Sequence, residues 1–317
     1  MRLYFAPMEG ITDEIYRGLH HKHFPGIEKY YIPFISPTTS MGLTNREKRS
    51  IALKSRDFIC VPQVLTKSAE NFVSTARILA DIGYDEVNLN MGCPSGTVTG
   101  KGKGSALLRD TDALKAFFDT VFSEKDLIHV SVKTRIGFAD TSEWEKIWSV
   151  LSAYPFCEIT IHTRTRNELY KGAVHNEALK LTEKSQAPII ANGDLFAPDD
   201  TESLMSNYSF ISGAMLGRGI IANPMLHQII RNNAKTEKEK LRAFHDELLK
   251  AYVDDRPVNA ALGHMSEIMF YMSNLFEGSK KYLKQMQKSR KTADYIAAAD
   301  AMFETCPLRE EPYYLPF

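Results

Sequence analysis

Residues 58–91 read FICVPQVLTKSAENFVSTARILADIGYDEVNLNM, and the way this stretch is parsed decides the fold. A short apolar, β-branched run at 58–65 is followed by Ala69–Ile82, whose residues 72, 73, 76, 79 and 80 form one apolar stripe at helical spacing. A second apolar run follows at 86–91. Strand, amphipathic helix, strand is the unit of a parallel sheet covered by helices. Working outward, similar runs occur at 2–7, 30–35, 128–134, 157–162, 187–192 and 211–216, and further helical patterns at Thr111–Phe122 and Trp144–Ala153. Eight strands are the number that closes a (β/α)8 TIM barrel. A doubly wound open sheet is the competing arrangement. The interval Pro37–Asp57 reads as loop, with Pro37, Gly42 and Asn45 in it.

After Asn233 the strands stop and the pattern turns helical. We therefore expect a barrel over 1–234, an all-helical C-terminal domain over 235–308 and a loose tail over 309–317. Residues 235–317 contain 13 basic and 13 acidic residues, but the charges are unevenly placed. Lys280, Lys281, Lys284, Lys288, Arg290 and Lys291 fall in one stretch without a carboxylate. Lys280, Lys284, Lys288 and Lys291 stack on one helix face, with Leu283 and Met286 off it. A solvated helix face is the plain reading of such a stripe.

The whole chain has 317 residues, with 39 basic and 39 acidic side chains and 44% hydrophobic residues. That balance excludes a polycation while permitting a locally basic surface. Four cysteines without a Cys-x-x-Cys pair exclude a disulfide scaffold and place the expectation in a reducing cytoplasm. No apolar run is long enough to span a bilayer, so no membrane partner is expected. The expected state is a monomer.

In a parallel barrel the C-terminal strand ends meet on one face, where polar residues read as function. Here those ends carry Ala6-Pro7-Met8-Glu9-Gly10, Gln63, Asn88 to Pro94 around Asn90 and Cys93, Lys133-Thr134-Arg135, His162-Thr163-Arg164-Thr165, Asn192-Gly193-Asp194 and Gly217-Arg218-Gly219. Seven of eight ends thus deliver polar groups or bare backbone, and together they describe one large ligand site. The last two, rich in glycine, suit a phosphate, with a short helix expected near Ala222-Asn223-Pro224 and Arg218 as a charged contact. Gln63 suits the alternating donor–acceptor edge of a flavin, and Lys133 the side where reduced flavin gathers charge. No G-x-G-x-x-G opens a first βαβ unit, and His162 has no partner at ligand spacing, so no metal is expected. Cys93 stands on a turn at the functional rim. Cys60, Cys157 and Cys306 read as small core residues.

These residues, in this order, resemble the tRNA-dihydrouridine synthases. The likeness runs through Ala-Pro-Met-Glu-Gly at 6–10, Gln63, Asn-Met-Gly-Cys-Pro at 90–94 and Gly-Ser-Ala-Leu-Leu at 104–108. It continues through Lys133, Arg135, His162, Arg164-Thr165, 192–194 and 217–219, covering about residues 1–225. The wording Cys-Pro-Ser-x-Thr-Val is nearest the bacterial C-type branch. The resemblance implies FMN as cofactor, NADPH as reductant, tRNA as substrate and a helical domain that grips RNA. It implies Cys93 as the catalytic residue, and Pro7, Met8, Glu9, Gln63, Lys133, His162, Asn192, Gly193, Asp194, Gly217 and Arg218 around the cofactor. Substrate contacts are expected from Asn90, Lys101, Lys103, Arg135, Arg164, Tyr170, Lys280, Lys284 and Lys288.

The chain departs from the family pattern in two places. Gly96 stands where many members have a lysine, with Lys101 and Lys103 as candidates to compensate. His264-Met265-Ser266-Glu267 replaces a basic–Met/Leu–basic–Glu pattern. Both remove positive charge from where RNA is expected.

The chemistry supports Cys93 independently. The C5=C6 bond of uracil is conjugated to the C4 carbonyl, so hydride delivered to C6 from flavin N5 leaves an enolate to be protonated at C5. A thiol of ordinary pKa, about 8.5, is protonated at neutral pH and can act as the general acid. The target base must leave the folded tRNA to arrive there. The alternatives are an FMN barrel acting on a small molecule and an RNA-binding flavoprotein with weak turnover.

Overall fold

The computed structural model describes residues 1–37, 43–52 and 57–310. Eight parallel strands close into one barrel in chain order, which settles the choice between barrel and open sheet. They are β1 (Arg2–Phe5), β2 (Lys29–Ile35), β3 (Cys60–Val64), β4 (Glu86–Met91), β5 (His129–Gly137), β6 (Glu158–Thr165), β7 (Ile189–Asn192) and β8 (Gly213–Leu216). Helices α1 (Glu14–His23), α2 (Asn45–Ser50), α3 (Ala69–Ile82), α4 (Gly96–Thr99), α5 (Thr111–Ser123), α6 (Trp144–Leu151), α7 (Pro198–Asn207), α8 (Arg218–Ala222) and α9 (Leu226–Asn232) surround it or sit in its loops. The apolar stripe of α3 buries Phe72, Val73, Ala76 and Leu79, as its spacing requires.

Two expectations are corrected. Within Pro37–Asp57, residues 38–42 and 53–56 lie outside the described residues, but Asn45–Ser50 is helical. A capping box drives it: the Thr44 hydroxyl accepts from the Glu47 amide, and the Glu47 carboxylate accepts from the Thr44 amide at 2.8 Å. The short helix expected near Ala222-Asn223-Pro224 starts slightly later, at Leu226, as α9, and a shorter helix, α8, precedes it from Arg218, directly at the β8 terminus.

Inside the barrel Tyr4, Ala6, Tyr31, Val61, Ile190 and Met215 form a small core. At its N-terminal end the buried carboxylate of Glu158 accepts from Tyr4 (2.6 Å) and Tyr31 (2.7 Å), with the Lys29 ammonium 3.5 Å away. Polar residues at this end read as stability.

The C-terminal segment consists of α10 (Lys238–Asp255), α11 (Val258–Met272), α12 (Lys280–Lys288) and α13 (Thr292–Thr305). It shares one continuous apolar core with the barrel's outer helices. Phe244 of α10 packs edge-on against Tyr16 and Phe24. Asp13, the cap of α1, accepts from the Tyr252 hydroxyl at 2.9 Å and the Arg256 guanidinium at 3.0 Å. Of the expected tail, Arg309 donates its amide to Leu275 and is held, while 311–317 lie outside the described residues. Among the described residues no helix is long and apolar enough to cross a membrane.

Candidate active site

The C-terminal strand ends surround a cavity of about 1070 Å³, its open mouth included. Pro7, Met8, Glu9, Gln63, Asn90, Cys93, Lys133, Arg135, His162, Tyr170, Asn192, Gly193, Asp194, Gly217 and Arg218 all line it. Lys101, Lys103, Lys280, Lys284 and Lys288 do not. Arg164 does not either.

Cys93 is held by β4 and β5. The Asn90 carboxamide oxygen accepts from the amides of Gly92 (3.1 Å) and Cys93 (2.9 Å), closing a tight turn directly after the strand. The Arg135 Nε donates to the Gly92 carbonyl at 2.9 Å, and its Nη1 to Thr165. The other side of the turn is tied by Ser105, whose hydroxyl donates to the Cys93 carbonyl at 2.9 Å. The thiol is only partly exposed, and burial pushes its pKa up, against the pull of a backbone group at Ser95 and of Arg135 and Lys133. At neutral pH it is a proton donor.

Asn90 in turn donates to the Gln63 carbonyl oxygen (2.7 Å), Gln63 donates to Asn88 (2.7 Å), and Asn88 to Ser131 (2.9 Å). Gln63 therefore spends half its amide on this chain, keeping one N–H and one lone pair for a ligand. Lys133 donates to Asn192 at 2.8 Å, and Asn192 to the Met215 carbonyl. Burial, reinforced by Arg135, lowers the Lys133 pKa to about 7. His162 is buried, and its pKa is pushed well below the usual value by burial and then by Arg135 and Lys133, so its ring is neutral.

At the β7–β8 edge, Gly193 (φ +128°) and Asp194 (φ +46°) turn in the left-handed region. A β-carbon on Gly193 would come within 3.0 Å of the His162 ring, so the backbone lies directly on the imidazole. Asp194 is clamped by Arg164 and Arg218. Arg164 was expected at the substrate; it is 1% exposed and spent on Asp194 and the Gly172 carbonyl, which makes it a prop beneath the cavity. Arg218 reaches the cavity, and its guanidinium lies 5.0 Å from the centre of the Tyr170 ring. Arg135, Arg164 and Arg218, with Lys133 about half charged at neutral pH, outnumber the carboxylates Glu9 and Asp194 here, a field that favours an anion. Two buried guanidinium nitrogens here, Nη2 of Arg135 and Nε of Arg164, have no hydrogen-bond partner among the described residues.

The remaining lysines are placed elsewhere. Lys103 donates to Ser36 at 2.7 Å, while Lys101 is exposed on the same loop. Lys280, Lys284 and Lys288 are exposed along α12, which is anchored by buried Tyr282 and Met286. Sequence reasoning missed Pro33, Phe34, Leu195, Phe196 and Met215, which supply the apolar walls. Pro33 was a readable signal: it interrupts strand pairing, and the β2–β3 register shifts between Ile32 and Ile35, turning Phe34 to the cavity. Among the described residues no three His, Cys, Asp or Glu side chains gather as a metal-binding group.

A family model described as dihydrouridine synthase (Dus) matches residues 4–310. The chain is 27% identical to the tRNA-dihydrouridine synthase B of Pasteurella multocida, over 85% of this chain and 78% of that one. It is 30% identical to a probable tRNA-dihydrouridine synthase of Staphylococcus epidermidis, over 79% and 78%. The relative from Pasteurella is named B, so the C-type wording around Cys93 does not extend to its name. Among solved structures, a morphinone reductase shares the barrel fold with a TM-score of 0.53 at 11% identity, covering 77% of this chain and 88% of that one.

Proposed function

The chain belongs to the dihydrouridine synthase family, and on that premise we propose that it reduces the C5=C6 bond of uridines in tRNA, with FMN in the rim cavity and NADPH as reductant. The observation that carries this reading is Cys93: a thiol kept protonated by burial, on a turn locked by Asn90 and Arg135, facing a cavity with cationic walls. The residues fit such a cofactor. Backbone free of side chains at Gly193 and Gly217, with Arg218 beside it, suits the phosphate. The free half of the Gln63 amide and Lys133 suit the polar edge of the ring system. When bound, the flavin supplies the hydride that uracil C6 receives.

The protein's own part is proton supply and positioning. Cys93 Sγ delivers its proton to C5 of the uracil enolate, and the thiolate left behind is stabilised by Arg135 and Lys133, the two cations that act on it. Arg135 lines the cavity beside Tyr170, and its guanidinium suits a uracil carbonyl. Tyr170, exposed at the lip, gives the extruded base a flat surface. All these groups come from one chain, so a cytoplasmic monomer is sufficient. In this reading residues 1–234 do the chemistry, and 235–308 hold RNA through Lys280, Lys284 and Lys288, assisted by Lys101 and Lys103. The test is incubation of the flavin-loaded protein and NADPH with tRNA lacking dihydrouridine, with nucleosides quantified by mass spectrometry. Dihydrouridine formation supports the reading; its absence with reduced flavin present refutes it.

A further inference from the structure

The Cys93 thiol is held through its backbone, and the four main-chain polar groups around it can be followed one by one. The amides of Gly92 and Cys93 both donate to the Asn90 carboxamide oxygen, and the Gly92 carbonyl accepts from Arg135. The fourth group, the Cys93 carbonyl, accepts twice from a single residue: from the Ser105 hydroxyl at 2.9 Å and from the Ser105 amide at 3.2 Å. Asn90 and Arg135 line the cavity and so face whatever enters it, whereas Ser105 lies outside the lining. Of the three residues that tie the turn, Ser105 is the one that acts on Cys93 alone.

Ser105 stands twelve residues beyond Cys93 and meets it because the chain folds back. Gly104 makes that return possible. Its φ is +61°, and a β-carbon there would lie 2.8 Å from the Cys93 carbonyl oxygen, 3.1 Å from Cys93 Cβ and 2.9 Å from Val98 Cγ1. The backbone thus presses directly on the cysteine. From Gly104 a 3-10 turn runs to Arg109 and buries Ala106 and Leu108, which fixes Ser105 to the protein interior. Ser105 is itself 0% exposed. A hydroxyl taken out of water costs stability unless it is bonded, and an alanine would fill the same place without that cost. The bond this hydroxyl makes is to the Cys93 carbonyl. The amide bond that would remain without it is at the long end of the usual range.

We propose that Ser105 is a positioning residue of the reaction: by holding the Cys93 carbonyl, it fixes the point from which the thiol delivers its proton. The proposal rests on the reading above that Cys93 is the proton donor. In that step the S–H bond breaks, the enolate's electron pair forms the C5–H bond, and a thiolate remains; Ser105 touches none of the reacting atoms. The experiment compares flavin-loaded, pre-reduced wild type, Ser105→Ala, Cys93→Ala and the double variant in single-turnover reduction of saturating, dihydrouridine-free tRNA. Flavin content, tRNA affinity and the rate of flavin reduction by NADPH are measured beside it. Ser105→Ala should react roughly tenfold more slowly, as expected when a reacting group shifts by a fraction of an ångström, with the other three quantities unchanged. In the Cys93→Ala background the same substitution should have no effect, because no thiol remains to be positioned. A wild-type rate in Ser105→Ala overturns the proposal, and so does an equal loss with and without the thiol. Alkylation of Cys93 by iodoacetamide, followed by mass spectrometry without tRNA, separates this proposal from the reaction itself. Releasing the carbonyl should speed alkylation roughly threefold or more, and an unchanged rate overturns the positioning role. A wild type that forms no dihydrouridine contradicts the proposed reaction, while faster alkylation in Ser105→Ala still upholds the tie.

Discussion

Cys93 illustrates what a residue inherits from its surroundings. Its position after β4 marked it in the sequence, but the turn that holds it depends on Asn90, which was expected to contact substrate. The carboxamide oxygen of Asn90 instead accepts both amides of the turn. That role is local, an Asn capping the amides two and three residues on, and the run Asn90-Met91-Gly92-Cys93 spells it. A raised thiol pKa has a kinetic consequence. Because the donor must be protonated, single-turnover reduction of uridine should hold its rate past pH 8.5, where an ordinary thiol is half ionised, and fall only above it. A rate that halves near pH 8.5 or lower would contradict the buried donor. Lys133 provides a second test. Its pKa of about 7 in the folded protein lies below the roughly 10.4 of an unfolded lysine. Between those values the unfolded chain binds more protons, so the penalty is full below pH 7 and vanishes as pH approaches 10.4. In the flavin-free protein, Lys133→Met should therefore gain most in Tm over wild type near pH 7, by roughly 1–2 °C per kcal/mol, and least near pH 10. A difference independent of pH would show that Lys133 is not a buried charge. Flavin retention should fall in the same variant.

At the scale of elements, α3 follows directly from its stripe, and α5 and α6 come within a residue or two of theirs. The helix after β2 is spelled by the capping box Thr44-Asn45-Arg46-Glu47, but Pro37 and Gly42 before it carry the local signature of a loop. The glycine-rich ends of β7 and β8 were legible and both line the cavity, but not the ion pairing of Arg218 with Asp194, which depends on the left-handed turn at 193–194. Lys280, Lys284 and Lys288 stand where the periodicity put them, exposed on α12, but the helix ends at Lys288 and Lys291, expected on the same face, caps α13 instead. If they follow tRNA phosphates, replacing Lys280, Lys284 and Lys288 together by alanine should weaken tRNA binding. The log–log salt dependence should flatten by roughly 0.7–0.9 for each phosphate no longer neutralised. An unchanged slope in a salt titration would reduce the stripe to a solvated face.

On the scale of the whole molecule, barrel and helices share one core, and Asp13 joins them by accepting from Tyr252 and Arg256. Neither partner is near Asp13 in sequence, so this junction could not be read in advance. Asp13→Asn should weaken both bonds and lower Tm by roughly 1–2 °C for each kcal/mol of stability removed, measurable by calorimetry. The same interior fixes the response to acid. Burial keeps His20, His227 and His264 below the usual imidazole pKa, so they stay neutral in the fold. The unfolded chain takes up protons on them below about pH 6.5, which makes stability fall with pH from there. Tm should accordingly drop between pH 7 and 5.5, a range in which ordinary carboxylates hardly titrate. A flat profile would refute the neutral assignment. The central claim is that this architecture exists to present one protonated thiol to uracil. It is tested most directly by single-turnover reduction of dihydrouridine-free tRNA with the pre-reduced, flavin-loaded wild type and Cys93→Ala. Dihydrouridine should form with the wild type, while the variant should retain flavin but react about 10²–10⁴-fold more slowly. A variant that matches the wild-type rate would contradict it.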